Sequence, residues 1–138
     1  MRWVAPINSK ETIDAVLALK TWAVVGLGNN PERAAFGVAK LLQDKGHRII
    51  PVYPRAEEVH GEAGYKTLAD IPVQVDVVDC FVNSKLVGKV VDEAIAIGAK
   101  AVWLQLDVID HEAVGRAQAA GLLTVMDRCP AIEYRARA

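Results

Sequence analysis

The residues of this chain that could do chemistry fall into a few strings. Gly26-Leu27-Gly28-Asn29-Asn30-Pro31-Glu32-Arg33 carries two glycines, where bare backbone can close on a ligand, and it leads into an expected helix. The free amides and positive dipole end of a helix amino terminus suit phosphate. The string is an incomplete glycine fingerprint for dinucleotides, with Gly26 and Gly28 in the first two positions and Pro31 in the third. A tight strand-to-helix turn would by itself also explain both glycines. A second string, Val52-Tyr53-Pro54-Arg55, ends a strand where NAD-binding units place an Asp or Glu to take the ribose hydroxyls. Here Arg55 follows, and Glu57 and Glu58 come only in the loop beyond. A cation at that point fits a phosphorylated ribose, as found in NADP or coenzyme A.

Groups for catalysis are sparse. Ser9 and Ser84 lie outside any nucleophile-elbow setting, and His47, His60 and His111 are scattered without metal-ligand spacing. His47 is expected exposed in a turn, His60 in a crossover loop and His111 in the first turn of a helix. Asp79 interrupts an apolar strand; because an unpaired buried carboxylate is costly, it is expected to be a hydrogen-bonded structural group. Gln105, a neutral amide at the mouth of another strand, can both give and take hydrogen bonds and is a candidate ligand contact. In Met126-Asp127-Arg128-Cys129-Pro130 a thiol stands beside a cation, a setting in which a cysteine can be a redox group. The plainer expectation for Cys129 is a buried thiol in a Pro-containing turn, and for Cys80 core packing. No catalytic residue is assigned.

These strings need elements to hold them, and the sequence alternates short apolar runs with amphipathic stretches, the pattern of an α/β domain. Asn8 with Glu11 has the form of a helix-opening capping pair ahead of Ile13, Val16 and Leu17. Strands are expected at Trp22 to Leu27, His47 to Val52, Val75 to Val82, Ala101 to Leu106 and Leu122 to Met126. Helices are expected from Asn30-Pro31 to about Lys45, from Ser84 to about Ile97 and from Asp110 to about Ala120, with Gly46, Gly98 and Gly121 closing them. A short helical turn is expected at Thr67 to Ile71, a minor extra strand near Tyr65, and a short tail after Met126. Pro51 cannot donate to a ladder, so the second strand belongs near an edge. Five parallel strands then favour the order 2-1-3-4-5 with helices on both faces. Ligands of such sheets bind beyond the carboxyl ends of the strands where the order reverses, here the loops at Gly26 to Arg33, Tyr53 to Arg55, Val82 to Ser84 and Gln105 to Asp107.

Composition bounds what this site could serve. The chain has 138 residues, 52% of them apolar, which suits one domain burying roughly two-thirds of its unfolded surface without staples. A net charge of −1 gives no global field for nucleic acid or an acidic membrane. Yet between Pro31 and Arg55 five basic residues, including Arg33 and Arg55, stand against Glu32 and Asp44, beside the expected phosphate loop. No apolar run is long enough to span a bilayer, and Pro6 and Asn8-Ser9-Lys10-Glu11 break the opening, unlike a secretion signal. A cytoplasmic protein with free thiols is expected, with no nucleic-acid or membrane partner.

Taken together, the strings resemble the small single-domain CoA-binding proteins, a family similar to the nucleotide-binding amino-terminal domain of the succinyl-CoA synthetase alpha subunit. The resemblance runs from Asn8 to Tyr134. It rests on Val25-Gly26-Leu27 with Asn30-Pro31-Glu32-Arg33, Ile50 to Glu58, Leu68-Ala69-Asp70-Ile71-Pro72, Val75 to Asp79, Ala99 to Leu106, and Met126 to Pro130. It implies a Rossmann-like domain holding coenzyme A or an acyl-CoA. By position it places the phosphates on Gly26, Gly28, Asn29, Asn30 and Arg33 and on Val52, Tyr53, Pro54 and Arg55, with pantetheine near Leu104, Gln105 and Leu106. Asn83 stands where many relatives would carry a basic residue. The phosphorylated histidine of the synthetase belongs to a following domain, so the resemblance implies binding without catalysis. Two alternatives stay open on the residues: an NADP-linked oxidoreductase, and a redox protein in which Cys129 forms a mixed disulfide with the thiol of coenzyme A.

Overall fold

The computed structural model describes residues 4–138. Met1-Arg2-Trp3, the start of the stretch read above as unlike a secretion signal, lies outside the described residues. Five parallel strands, β1 (Thr21–Val25), β2 (Arg48–Val52), β3 (Val77–Cys80), β4 (Ala101–Leu104) and β5 (Leu123–Val125), form one sheet in the order β2-β1-β3-β4-β5. The expected order holds, and its reason is visible at Pro51. Arg48 donates to Lys20 and Gly26 to Val52, so alternate residues of β2 face β1 and Pro51 turns its missing donor outward. On that outer side Pro51 O accepts from Tyr65 N–H at 2.9 Å, and Tyr53 N–H donates to Tyr65 O at 3.0 Å. The minor strand expected near Tyr65 is this single parallel bridge.

Because side chains alternate along a strand, neighbouring residues enter opposite cores. Trp22, Val24, Val77 and Trp103 pack under α1 (Lys10–Leu17), α2 (Ala34–Asp44) and α5 (Pro130–Ala136). Ala23, Val78, Cys80 and Val102 pack under α3 (Ser84–Ala96) and α4 (His111–Ala119). Both buried indoles find acceptors, Trp22 at Leu19 O and Trp103 at Arg128 O, each at 2.9 Å. A 3-10 turn at Leu68–Asp70 matches the short helical turn expected there.

Four local expectations need correction. Ser9, not Asn8, caps α1, its hydroxyl accepting from Thr12 N–H at 3.1 Å. Asn8 takes a left-handed conformation, φ 61°, and its amide brackets Met126, giving to the carbonyl and taking from the N–H at 2.8 Å each. Asn30-Pro31 does not open α2, which starts at Ala34. Arg33 N–H reaches Asn30 O at 3.1 Å, so the pair makes a turn with Pro second, a setting that Asn and Pro favour as much as a helix start. The tail after Met126 contains α5, a helix of seven residues with Pro130 in its first turn. Finally, His47 is 8% exposed rather than open to water. Its Nδ1 lies 2.8 Å from Leu19 O and its Nε2 meets the Tyr134 hydroxyl, so a residue of α5, in the stretch expected as a short tail, covers it.

Candidate functional site

Three cavities adjoin beyond the carboxyl ends of β1, β2, β3 and β4, and Arg33 lines all of them, so they are compartments of one groove. The first, about 330 Å³, is bounded by Gly28, Asn29, Asn30, Arg33, Tyr53, Arg55 and Glu57. The second, about 440 Å³, runs from Gly26 and the start of α2 past Phe81 and Gln105 to Cys129. The third, about 590 Å³, spreads over Val52, Tyr53 and Pro54 towards Lys66, Asn83, Leu86 and Lys89. The groove opens between the loops that leave β1 and β3, where the strand order reverses, as expected for such a sheet.

The loop after β1 uses its residues in different ways. Gly26 has φ +100°, and a Cβ there would sit 2.5 Å from Phe81 O, so the fold itself requires glycine at this position. At Gly28 a Cβ would meet the Glu57 carboxylate and the Tyr53 ring at 3.3 Å, so the bare backbone faces the first cavity. Asn29 donates to Glu58 O at 2.7 Å, tying this loop to the one after β2. Asn30 accepts from Glu32 N–H at 3.0 Å within its own turn. Their side chains shape the loop and leave backbone for a ligand. Arg33 precedes α2, whose amino end has no side-chain cap.

After β2, Ala56 N–H donates to Tyr53 O at 2.8 Å, closing a turn with Pro54 and Arg55 at its corners. Arg55 thereby lines the first cavity together with Arg33. Both arginines are exposed, and among the described residues neither forms an ion pair. The same turn folds Glu57 back against Gly28. In the sequence Glu57 is a loop residue whose sole signal is its position three after Pro54, and a tertiary turn converts it into a cavity wall. Lys66, Lys89 and Phe81 were also missed, because they come from the crossover, a helix face and a strand end with no motif of their own.

Other predicted site residues divide cleanly. Gln105 and Leu106 line the second cavity, whereas Leu104 is fully buried in the core under α3 and α4 and lines none of the three. Asn83 caps α3 by accepting from Lys85 and Leu86 N–H at 3.0 and 3.1 Å, and it also lines the third cavity. Behind Gln105 lies Asp79, fully buried, with Oδ1 accepting from Gln105 Nε2 at 2.8 Å and Oδ2 without a partner. Burial pushes the Asp79 carboxyl up to about 7 against the opposing hydrogen bond from Gln105. Cys80 beside it is pushed up by burial first and by Asp79 second, which leaves an unreactive thiol. Cys129 is half-buried at the edge of the second cavity rather than fully packed. Among the described residues no histidine lines the groove. His60 instead binds Phe36 O at 2.8 Å through Nε2. Among the described residues no group of His, Cys, Asp or Glu could hold a metal ion, and no helix is long and apolar enough to cross a membrane.

Comparison with known proteins gives a consistent picture. A family model described as a CoA binding domain matches residues 20–135. A hypothetical protein from Pyrococcus horikoshii OT3, solved as a structure, superposes with a TM-score of 0.88 at 40% identity, over 99% of this chain and 98% of that one. The uncharacterized protein YneT of Bacillus subtilis (strain 168) is 34% identical over 122 residues, 88% of this chain and 90% of its own length. The acetate-CoA ligase (ADP-forming) II subunit alpha of Pyrococcus furiosus is 36% identical over 81 residues, 58% of this chain but 18% of the ligase subunit.

Proposed function

Since this chain belongs to the CoA-binding domain family, we propose that it binds coenzyme A or an acyl-CoA without catalysing a reaction on it, holding the nucleotide phosphates between the loop after β1 and Arg55. The observation that carries this reading is the first cavity, where bare backbone at Gly28 and two arginines without ion pairs face the same space. Those are the groups that phosphate esters require: amides that can approach closely and cations free to form charge-assisted hydrogen bonds. Glu57 adds one acceptor, suited to a ribose hydroxyl or an adenine amino group. The third cavity, with apolar walls and Lys66 and Lys89 at its margin, suits a base with a further phosphate nearby. The ligase subunit's activity does not carry over from a match to 18% of its length.

Calorimetric titration tests the reading. Coenzyme A should bind more tightly than NAD, NADPH or AMP. Arg33→Ala and Arg55→Ala should each weaken it by about 1.5 to 3 kcal/mol, roughly tenfold to a hundredfold. Preference for NADPH, with a shift in its nicotinamide fluorescence, would favour an oxidoreductase instead.

A further inference from the structure

The second cavity differs in chemistry from the first, although Arg33 joins them. We propose that it receives the acyl chain of a CoA thioester, so that the ligand this groove selects is an acyl-CoA with an uncharged aliphatic acyl group; this rests on the coenzyme A reading above.

The walls beyond Arg33 are Ala34, Ala35 and Val38 of α2 on one side and Phe81, Val82 and Val108 on the other. At about 440 Å³ it falls within the usual range for small-molecule pockets, roughly 300 to 1,000 Å³. Among the described residues Arg33 is its only cation and stands at the wall shared with the phosphate compartment, so a phosphate-bound arginine leaves nothing there to meet a charged acyl group. The polar group on the floor is Gln105, which is 5% exposed. One N–H of its amide donates to Asp79 Oδ1 at 2.8 Å, which turns the amide nitrogen towards Asp79 and leaves the carbonyl oxygen as the acceptor for a ligand. A carbonyl accepts from the amide N–H groups of a pantetheine arm and repels a carboxylate. At the rim, Leu106 is 48% exposed, an apolar side chain that an aliphatic ligand would cover. The compartment therefore continues the phosphate site in the direction of a chain that is neutral, has amide donors and ends in hydrocarbon. That description fits an acyl-pantetheine, and the hydrocarbon part distinguishes it from free coenzyme A.

The test is a calorimetric series on the whole protein with coenzyme A and its acetyl, butyryl, hexanoyl and succinyl thioesters. Each methylene buried should tighten binding by about fourfold until the cavity is full, making butyryl-CoA roughly tenfold or more tighter than acetyl-CoA, with succinyl-CoA gaining nothing. Ala34 and Leu106 are exposed on the cavity wall, so Ala34→Leu and Leu106→Asp leave the core intact. Each should collapse the ratio of hexanoyl-CoA to acetyl-CoA affinity towards one. Equal affinities across the series, with coenzyme A still bound, would overturn the acyl site alone. A steep series that survives Ala34→Leu and Leu106→Asp would do the same. Failure of every member, coenzyme A included, would overturn both readings.

Discussion

At Asp79 a carboxyl group sits where water does not reach it, with one hydrogen bond from Gln105 and one oxygen without a partner. Its pKa rises from 3.8 to about 7, and the consequence for stability has a definite sign. Below about pH 4 the group is protonated in both the folded and unfolded chain. Between there and about 7 the unfolded chain releases a proton that the folded chain keeps, so stability falls as pH rises, and above about 7 the loss is complete. Asp79→Asn should remove this slope while keeping an acceptor for Gln105. Urea denaturation at several pH values should show the variant gaining on the parent from pH 4 to 7, and a difference that is constant with pH would defeat the account. His47 works in the other direction, because burial lowers its pKa: as pH falls below its ordinary 6.5 the unfolded chain takes up a proton that the folded chain excludes, and stability is lost. The sequence marked Asp79 as needing a hydrogen bond, since a carboxylate among valines must find one. It could not mark His47, whose cover is a hydroxyl 87 positions away.

Among the elements, the loop from β1 to α2 separates what the fold needs from what a ligand needs. Gly26 combines φ +100° with a backbone oxygen 2.5 Å from any added Cβ. Gly26→Ala should cost about 2 to 4 kcal/mol, read as a lower urea midpoint at unchanged slope. Gly28 has no positive φ, and its added Cβ would press only on the Glu57 and Tyr53 side chains at 3.3 Å. Gly28→Ala should therefore keep most of the stability but narrow the first cavity and weaken coenzyme A. If the two variants behaved alike in both assays, this division of roles would be wrong. From the sequence the two glycines were equivalent. The same ambiguity misplaced the start of α2: Asn30-Pro31 satisfies the local rules for a cap and for a turn, and only the docking of α2 on Val24 and Trp22 sets the helix three residues later. Missing α5 has a related cause, since seven residues hold too few turns for an apolar stripe to show.

For the whole molecule, the reversal of strand order between β1 and β3 creates the groove, and ligand binding should be felt by all of the sheet that frames it. A ligand held only by the folded chain stabilises it by mass action, about 2.7 kcal/mol at a hundred times Kd. For a domain of this size that should raise Tm by roughly 10 °C. Thermal scans with and without coenzyme A would check it, and an unmoved Tm at saturating ligand would count against the proposed binding. The accessible surface is 7189 Å², close to the roughly 7,000 Å² that chain mass leads one to expect for a single packed domain.

The sequence by itself determined the strands, their parallel order and the position of the groove. Those follow from local signals that need no partner: continuous apolar runs, a proline that cannot donate to a ladder, and glycines at the ends of helices. The tertiary structure alone decided which side chains meet in the groove. Glu57 folding onto Gly28, Arg33 shared by three compartments, Leu104 turned away into the core and Tyr134 over His47 all depend on contacts between residues far apart in the chain or on the face a strand presents. Local propensity carries no information about such contacts, because the free energy that fixes them comes from packing the two helical layers onto one twisted sheet.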